Sequence, residues 1–289
     1  MIDVLHRPGS LEEALELIGG REDRRVYAGG TELLLLVKLG LAQVRELVDL
    51  KRLGLDGITH DGTAVVIGAC ATHAEIARSR TVRTLVPALA AAAGELGNVR
   101  VRTTGTIGGN LCFAEPSSDL GCVLLLEDAE VELRSRRGTR RVEIGRFFVH
   151  AFTTVLADDE LLVTVRVPAH PQSRRRATRY RRIALGERPT AGAGVSLELD
   201  AGGRVVRARV AVGAGSARPI RIGEAEARLQ GQDLATAREG AEEVGRLAAA
   251  ACEPIRDVHA SPGYKRHLVG VMARRALEDA TAELEADRG

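Results

Sequence analysis

Two glycine-rich turns constrain this chain more strongly than any other part of its sequence. One runs from Ala28 to Leu33, between a predicted strand and a predicted helix, and the other from Thr104 to Asn110, after a predicted helix. A turn without Cβ atoms lets backbone N–H groups converge on a phosphate oxygen, and a helix N-terminus adds partial positive charge. Either turn alone is more often an ordinary tight turn. Together they suit a diphosphate held by two parts of the chain, but their spacing alone identifies no ligand.

Neither turn matches a common nucleotide-binding motif. The sequence contains no GxGxxG, so it does not support a Rossmann dinucleotide site. It also lacks the P-loop pattern GxxxxGK followed by Ser or Thr, and the missing lysine excludes that class of phosphate site. The two turns therefore indicate an anion site of another kind.

The composition excludes several classes of protein. Of the 289 residues, 45% are hydrophobic and 28% are charged, which is the balance of a soluble globular protein. The net charge of +2 and the absence of a long basic run argue against a nucleic-acid partner. The first residues lack the features of a signal peptide, and the longest apolar runs are too short for a transmembrane segment. The expected location is the cytoplasm.

The cysteines and histidines predict no metal site and no catalytic group. The four cysteines are scattered and form no CxxC pair, whereas iron–sulfur clusters and structural zinc need closely grouped thiolates. We expect them to be reduced and mostly buried. The seven histidines show neither metal-ligand spacing nor a Ser/His/Asp arrangement. The cysteines are Cys70, Cys112, Cys122 and Cys252.

The pattern of elements predicts an α+β fold in three parts. Residues 1–53 form a small α/β unit and residues 54–175 a larger α/β unit. Residues 176–289 form a C-terminal antiparallel sheet with helices, because a hairpin signal surrounds the turn at Ala201-Gly202-Gly203 and helical patterns follow it. The second glycine-rich stretch is predicted as a turn, and residues 234–252 as one helix.

The residues of both turns resemble those of one family, the FAD-binding subunit of molybdopterin dehydrogenases. This family includes the medium subunit of carbon monoxide dehydrogenase and the flavin domain of xanthine dehydrogenase. The similarity extends from the first helix to the last, and AGGTE followed by GTIGGN and an aspartate makes it specific. The matching stretches are Tyr27–Leu33, Thr104–Leu111, Ala114–Leu120, Gly68-Ala69 with Thr72–Ile76, Glu160–Leu162 and Tyr264–Arg266.

This resemblance implies that the cofactor is FAD and that the first two parts form its two-part binding domain. It implies that Asp119 accepts hydrogen bonds from the ribityl hydroxyls, whereas without the motif a helix cap would be preferred. Leu162 and Leu96 are expected beside the ring systems. The two turns are expected to hold the pyrophosphate, the first through Val26, Tyr27, Ala28, Gly29, Gly30, Thr31, Glu32 and Leu33, and the second through Thr106, Ile107, Gly108, Gly109 and Asn110.

One position departs from the family pattern. Xanthine dehydrogenases place a lysine beside the flavin, and Arg181 stands at the matching position here. Arginine keeps the charge but not the compact ammonium group. The neighbouring Tyr180 is interpreted either as a stacking partner for a ring or as an ordinary half-buried tyrosine.

The resemblance also implies a function within a complex. The chain would take electrons from the [2Fe-2S] clusters of a small subunit, which receives them from a molybdopterin large subunit that hydroxylates the substrate. It would pass them to an external acceptor such as a quinone, NAD or oxygen. Two alternatives remain open at this stage. One is a stand-alone FAD-dependent oxidoreductase acting on a small molecule, and the other is a scaffold protein that has lost FAD.

Overall fold

The computed structural model describes residues 2–19, 23–169, 175–185, 188–258 and 260–287. The chain divides into two compact units. Unit 1 comprises Met1–Ala114 and Ala129–Pro168, and unit 2 comprises Glu115–Asp128 and Ala169–Gly289. The chain therefore passes from one unit to the other three times. The division into three parts at residues 53 and 175 remains a prediction. From its charge, the basic stretch at residues 173–176 is expected to be an exposed connection. Residues 173 and 174 lie outside the described residues, and Arg175 and Arg176 are half-buried.

Unit 1 begins with a parallel sheet of three strands in the order β1-β3-β2. The first helix is capped by Ser10, the residue before it, whose hydroxyl accepts a hydrogen bond from the N–H of Glu13. One face of the sheet forms a small core with this helix, to which Ala14, Leu15 and Val48 contribute. The elements are β1 (Val4–His6), α1 (Leu11–Leu17), β2 (Arg24–Tyr27), α2 (Leu33–Lys38) and β3 (Glu46–Asp49).

An antiparallel sheet of five strands completes unit 1, in the order β4-β5-β10-β6-β7. Five short helices follow β5, and the last two of them meet within the second glycine-rich stretch. The elements in chain order are β4 (Ile58–His60), β5 (Ala64–Gly68), α3 (His73–Arg78), α4 (Arg80–Leu85), α5 (Pro87–Glu95), α6 (Val99–Thr104) and α7 (Ile107–Phe113); then, after α8 (Leu120–Leu126) of unit 2, β6 (Glu130–Ser135), β7 (Gly138–Glu143), α9 (Ile144–Phe147), β8 (Phe148–His150), β9 (Thr153–Thr154) and β10 (Leu161–Pro168).

The second glycine-rich stretch differs from the predicted turn, because it is mostly helical. Helices α6 and α7 meet at Gly105 and Thr106. Polar side chains start both helices: Asn98 accepts from the N–H groups of Arg100 and Val101, and Thr106 accepts from that of Gly109. These caps offset the low helix propensity of a glycine-rich sequence.

Unit 2 is an antiparallel sheet in the order β11-β12-β13-β14, covered by helices. This confirms the α+β class and the C-terminal antiparallel sheet. The predicted helix over residues 234–252 is two helices that meet at Gly240. Strand β12 and helix α8 are buried along their whole length. The remaining elements are β11 (Arg176–Ile183), β12 (Ala191–Leu199), β13 (Val205–Val212), β14 (Ile220–Arg221), α10 (Gly223–Leu229), α11 (Leu234–Glu239), α12 (Ala241–Ala251) and α13 (Pro262–Ala286).

No helix within the described ranges is both long and apolar enough to cross a lipid bilayer.

Candidate functional site

The two glycine-rich turns lie against each other inside unit 1. A Cβ atom built on Gly29 would lie 2.3 Å from the carbonyl oxygen of Thr104 and 2.8 Å from Cα of Gly105. No side chain fits in that space, so glycine is required for the two backbones to meet. The next residue, Gly30, has a φ of +73°, and a Cβ atom there would lie 2.4 Å from the ring of Tyr27. The first turn therefore needs both of its glycines.

The amides of the second turn are used within the protein. The N–H of Ile107 donates to the carbonyl of Ala71 over 3.0 Å, and that of Gly108 donates to the carbonyl of Ala69 over 2.8 Å. The N–H of Gly109 donates to the hydroxyl of Thr106 over 3.1 Å. The start of α7 is thus fixed to the segment that follows β5, and these three amides already have acceptors.

The amides of the first turn differ. Among the described residues, none accepts a hydrogen bond from the N–H of Gly29, Gly30 or Thr31. Gly29 is buried and its two neighbours are half-buried. Because an amide withdrawn from water needs an acceptor, this turn fits an anionic oxygen supplied by a ligand. The second turn supports the first through the contact at Gly29.

A lysine that the sequence reasoning missed lies beside the first turn. The Lys51 ammonium is 3.0 Å from the Tyr27 hydroxyl and 4.3 Å from the centroid of that ring. Lys51 follows β3, whose carboxyl end is adjacent to that of β2 in the parallel sheet. Residues at the carboxyl ends of neighbouring parallel strands gather at one edge, and this is the signal that could have identified it.

The two leucines expected near the ring systems have different environments. Leu96 is the half-buried residue after α5, and its carbonyl accepts from the Arg102 guanidinium over 3.2 Å. Leu162 is buried in β10 opposite Leu133. Of the remaining residues predicted for the first turn, Val26 is exposed, and Tyr27, Ala28, Glu32 and Leu33 are half-buried. In the second turn, Ile107 is buried and Asn110 half-buried.

Asp119 lies at the start of α8 in unit 2 and is only 3% exposed. Its side chain makes no capping hydrogen bond to the helix, so the helix-cap interpretation does not hold. Instead, the Tyr180 hydroxyl donates to Oδ1 over 2.6 Å, and Arg182 lies 3.5 Å from Oδ2. Burial and the nearby charge of Asp119 raise the pKa of Tyr180 well above its ordinary value. The phenol therefore stays protonated and remains a donor.

Arg181 points to the opposite face of β11. Successive side chains on a strand alternate between faces, and Tyr180 and Arg182 are on the side of Asp119. The Arg181 guanidinium pairs with Asp279 of α13, and Arg179 pairs with Glu283 of the same helix over 2.7 Å. The cation near Asp119 is thus Arg182, which the sequence reasoning did not select.

The described residues include no group of three or more His, Cys, Asp and Glu side chains that could hold a metal ion. All four cysteines are free thiols. Burial raises the pKa of Cys70 to about 11 and that of Cys112 to about 12, so both stay protonated.

A glycine turn with unused amides, braced by a second turn, has the geometry expected of a site for a phosphate-bearing cofactor. Comparison with known proteins identifies that cofactor. Residues 2–170 match the FAD binding domain in molybdopterin dehydrogenase, and residues 176–280 match the CO dehydrogenase flavoprotein C-terminal domain. The chain belongs to the family of FAD-binding subunits of molybdopterin dehydrogenases.

Individual relatives agree with this assignment over nearly the whole chain. The carbon monoxide dehydrogenase medium chain of Hydrogenophaga pseudoflava is 33% identical over 279 residues, covering 96% of each chain. The nicotine 6-hydroxylase medium subunit of Paenarthrobacter nicotinovorans is 34% identical over 276 residues, covering 95% of this chain and 96% of the relative. A solved structure of the Hydrogenophaga pseudoflava carbon monoxide dehydrogenase has a TM-score of 0.89 at 32% identity, covering 98% of both chains. The expected family, the FAD cofactor and the oxidoreductase class are confirmed.

Proposed function

We propose that this chain is the electron-transfer subunit of a molybdenum hydroxylase. It holds one FAD non-covalently, receives electrons from the [2Fe-2S] clusters of a small subunit and passes them to an external acceptor. A molybdopterin large subunit carries out the hydroxylation. The observation that carries the proposal is the first glycine turn, whose amides at Gly29, Gly30 and Thr31 have no acceptor among the described residues.

The chain's own residues fit a flavin dinucleotide. In our proposal the amides of the first turn and the Thr31 hydroxyl donate to the pyrophosphate, with residues 26–33 forming this loop. The second turn, residues 106–110, holds the first in place and completes the phosphate site. Asp119 accepts from the ribityl hydroxyls, and Leu96 and Leu162 line the apolar part of the site. The ion pair of Arg181 with Asp279 favours Arg182 for the place that a lysine takes in xanthine dehydrogenases.

The bound flavin supplies the redox chemistry, because it stores two electrons and exchanges them singly or as a hydride. The polypeptide binds and orients it. The described part of the chain offers no cluster of cysteines to bring electrons in, which supports a partner subunit as their source. Free thiols are also usual in a reducing compartment, which supports the cytoplasm as the location.

A surface of unit 1 supports the association with a partner. Helix α2, which follows the first turn directly, consists of four leucines, a valine and Lys38, and none of them is buried. Leu39 is 60% exposed and Leu41 73% exposed. Exposed apolar surface of this kind marks interaction sites in soluble proteins. Lys38 at the end of α2 and Lys51 after β3 are also exposed. We propose that the iron–sulfur subunit contacts this α2 surface. The matching surface of that subunit would be apolar with an acidic rim.

Flavin analysis of the purified chain tests the cofactor assignment. We expect a yellow protein that releases one equivalent of FAD on acid denaturation, identified by chromatography. Recovery of FMN, or of no flavin after incubation with FAD, would contradict the proposal.

Co-expression tests the proposed place in a complex. With its iron–sulfur and molybdenum partners, the chain should support substrate-dependent reduction of an electron-accepting dye, whereas the isolated chain should not. Rapid turnover of an organic substrate by the isolated chain would instead identify a stand-alone flavoenzyme.

A further inference from the structure

Tyr27 and Lys51, beside the first glycine turn, retain hydrogen-bond donors to which the described residues offer no acceptor. The Lys51 ammonium donates to the Tyr27 hydroxyl over 3.0 Å, and in the described part of the chain it pairs with no carboxylate. The Tyr27 oxygen is the acceptor of that bond, so its own proton is left without an acceptor among the same residues. An ammonium has three donors and a phenol has one. Both groups can therefore still donate to a ligand.

The backbone fixes this pair at the same edge of the sheet as the turn. Strands β2 and β3 are parallel neighbours that end at Tyr27 and Asp49. The N–H of Leu50 donates to the Tyr27 carbonyl over 2.9 Å. The N–H of Lys51 donates to Oδ1 of Asp49 over 3.0 Å. Because a Cβ atom on Gly30 would lie 2.4 Å from the Tyr27 ring, that ring contacts the turn and connects it to Lys51.

The turn and this pair together have the donors that a phosphate needs. The amides of Gly29, Gly30 and Thr31 have no acceptor among the described residues, but amides carry only partial charges. Lys51 adds a full positive charge, and hydrogen bonds between ionised groups are about twice as strong as neutral ones. Lysine is a compact point charge, which suits a phosphate oxygen. The nearby Asp49 carboxylate binds the backbone N–H of Lys51 and leaves the ammonium unpaired.

We propose that Lys51 and the Tyr27 hydroxyl bind the pyrophosphate of FAD together with the amides of the first turn. This inference rests on the proposed function, in which that turn holds the pyrophosphate. Lys51 supplies the charge. Tyr27 donates to the phosphate and also holds the ammonium beside the turn. All of these groups belong to unit 1, so this part of the site is complete within one unit.

The test is Lys51→Gln, with the dissociation constant of FAD measured on the chain depleted of flavin. Lys51 is exposed, so the substitution should leave the fold intact. We expect the dissociation constant to rise about fivefold at low ionic strength, which is the upper range for one exposed charge pair. Salt screens exposed charges, so the difference between the two proteins should disappear as the ionic strength rises from about 0.01 M to about 1 M.

Arg52→Gln is the matched control, because it removes the same charge from the neighbouring residue. Arg52 is exposed and makes no hydrogen bond or ion pair within the described ranges. Its substitution should leave the affinity for FAD unchanged at every salt concentration. An effect of overall charge would instead appear equally in both variants.

Tyr27→Phe tests the second donor, because it keeps the ring against Gly30 and removes only the hydroxyl. The dissociation constant of FAD should rise about fivefold. In the double variant with Lys51→Gln, the combined effect should be smaller than the product of the two, because the hydroxyl holds the ammonium in place.

Several results would overturn the inference. They are an unchanged FAD affinity in either single variant, an equal loss in Arg52→Gln, a loss in Lys51→Gln that persists at high salt, and fully multiplicative effects in the double variant. Failure of the unaltered chain to bind FAD would instead overturn the proposed function.

Discussion

At the scale of single residues, glycines serve different purposes in the two units. Gly29 allows two backbones to touch, Gly30 adopts a left-handed conformation, and Gly192 leaves room for a phenol. Gly109 differs from all of these because it is exposed, and a Cβ atom there would meet only the Thr106 hydroxyl, at 3.0 Å. Its lack of a side chain is therefore not explained by packing alone, and a ligand close to its backbone would explain it.

Gly109→Val should therefore reduce FAD binding much more than it reduces stability. The new side chain displaces the Thr106 hydroxyl that caps α7, which costs about 1 kcal/mol, or a few degrees in melting temperature. It also blocks close approach to the phosphate, so FAD occupancy should fall at least about tenfold. Flavin content and thermal melting are measured on the same sample. Gly57→Val is the control, since a Cβ atom on Gly57 has open space around it. Full occupancy in folded Gly109→Val would place the phosphate elsewhere.

His73 gives unit 1 a pH-dependent stability. This side chain is 2% exposed, its Nδ1 has no hydrogen-bond partner among the described residues, and burial lowers its pKa from 6.5 to about 4. Between those pH values the unfolded chain binds a proton that the folded chain does not. Stability is therefore complete above pH 6.5 and falls as the pH approaches 4, by roughly 3 kcal/mol.

The test is urea unfolding of the wild-type chain and His73→Gln at several pH values. Glutamine does not titrate, so the difference in unfolding free energy between the two proteins should shrink or reverse as the pH falls from 6.5 to 4. Curves that stay parallel over this range would show that His73 is not the group responsible.

The sequence does not determine which side chains of strand β11 lie on the same face as Asp119. The segment Arg179-Tyr180-Arg181-Arg182 has no apolar alternation from which to assign its faces. The similarity to the family selects Arg181. In the structure, Tyr180 packs against Gly192 and Gly194, and Arg182 is the arginine that lies near Asp119. The glycines of the two glycine-rich turns are easier to predict, because each turn is a contiguous motif. The glycines around Tyr180 come from distant segments, and only the folded sheet brings them together.

At the scale of elements, the α2 surface should govern assembly and not cofactor binding. Leu41→Glu places a charge on its most exposed leucine, and substitutions at such positions usually change stability by less than about 0.5 kcal/mol. The variant should retain its FAD and its melting temperature but lose most of its affinity for the iron–sulfur subunit, as measured by co-purification. Val258→Glu, at a 96% exposed valine of unit 2, should assemble normally. Equal assembly of both variants would contradict a role for α2.

Elements with a clear start and a periodic apolar face could be predicted from the sequence, as for α1 and the final helix α13. The short helices α6 and α7 could not, because their glycines and threonines are typical of turns. They form because each has a polar cap and because the contacts at Gly29 and Ala69 hold them. The predicted helix over residues 234–252 is interrupted at Gly240, because glycine weakens a helix interior.

For the whole molecule, FAD should act as a stabilising ligand. A cofactor that binds only the folded chain adds about 2.7 kcal/mol when its concentration is 100 times the dissociation constant. For a protein of this size, that corresponds to a rise of several degrees in melting temperature. Thermal melts of the chain depleted of flavin, with and without added FAD, measure the effect. Gly109→Val should show little rise at the same FAD concentration. An equal rise in both proteins would indicate that FAD stabilises the chain through a different site.

The three passages of the chain between units have a consequence for how such a protein can be divided or recombined. Glu115–Asp128 belongs to unit 2 but is encoded within the stretch that otherwise forms unit 1. In unit 2, Leu126 packs at Gly194 and Cys122 at Gly213, so a fragment covering only the C-terminal half would expose this part of its core. Neither unit is a continuous polypeptide that a gene fusion could transplant alone. A gene fusion that transplants unit 2 as one stretch of chain must therefore carry residues 129–168 of unit 1 with it.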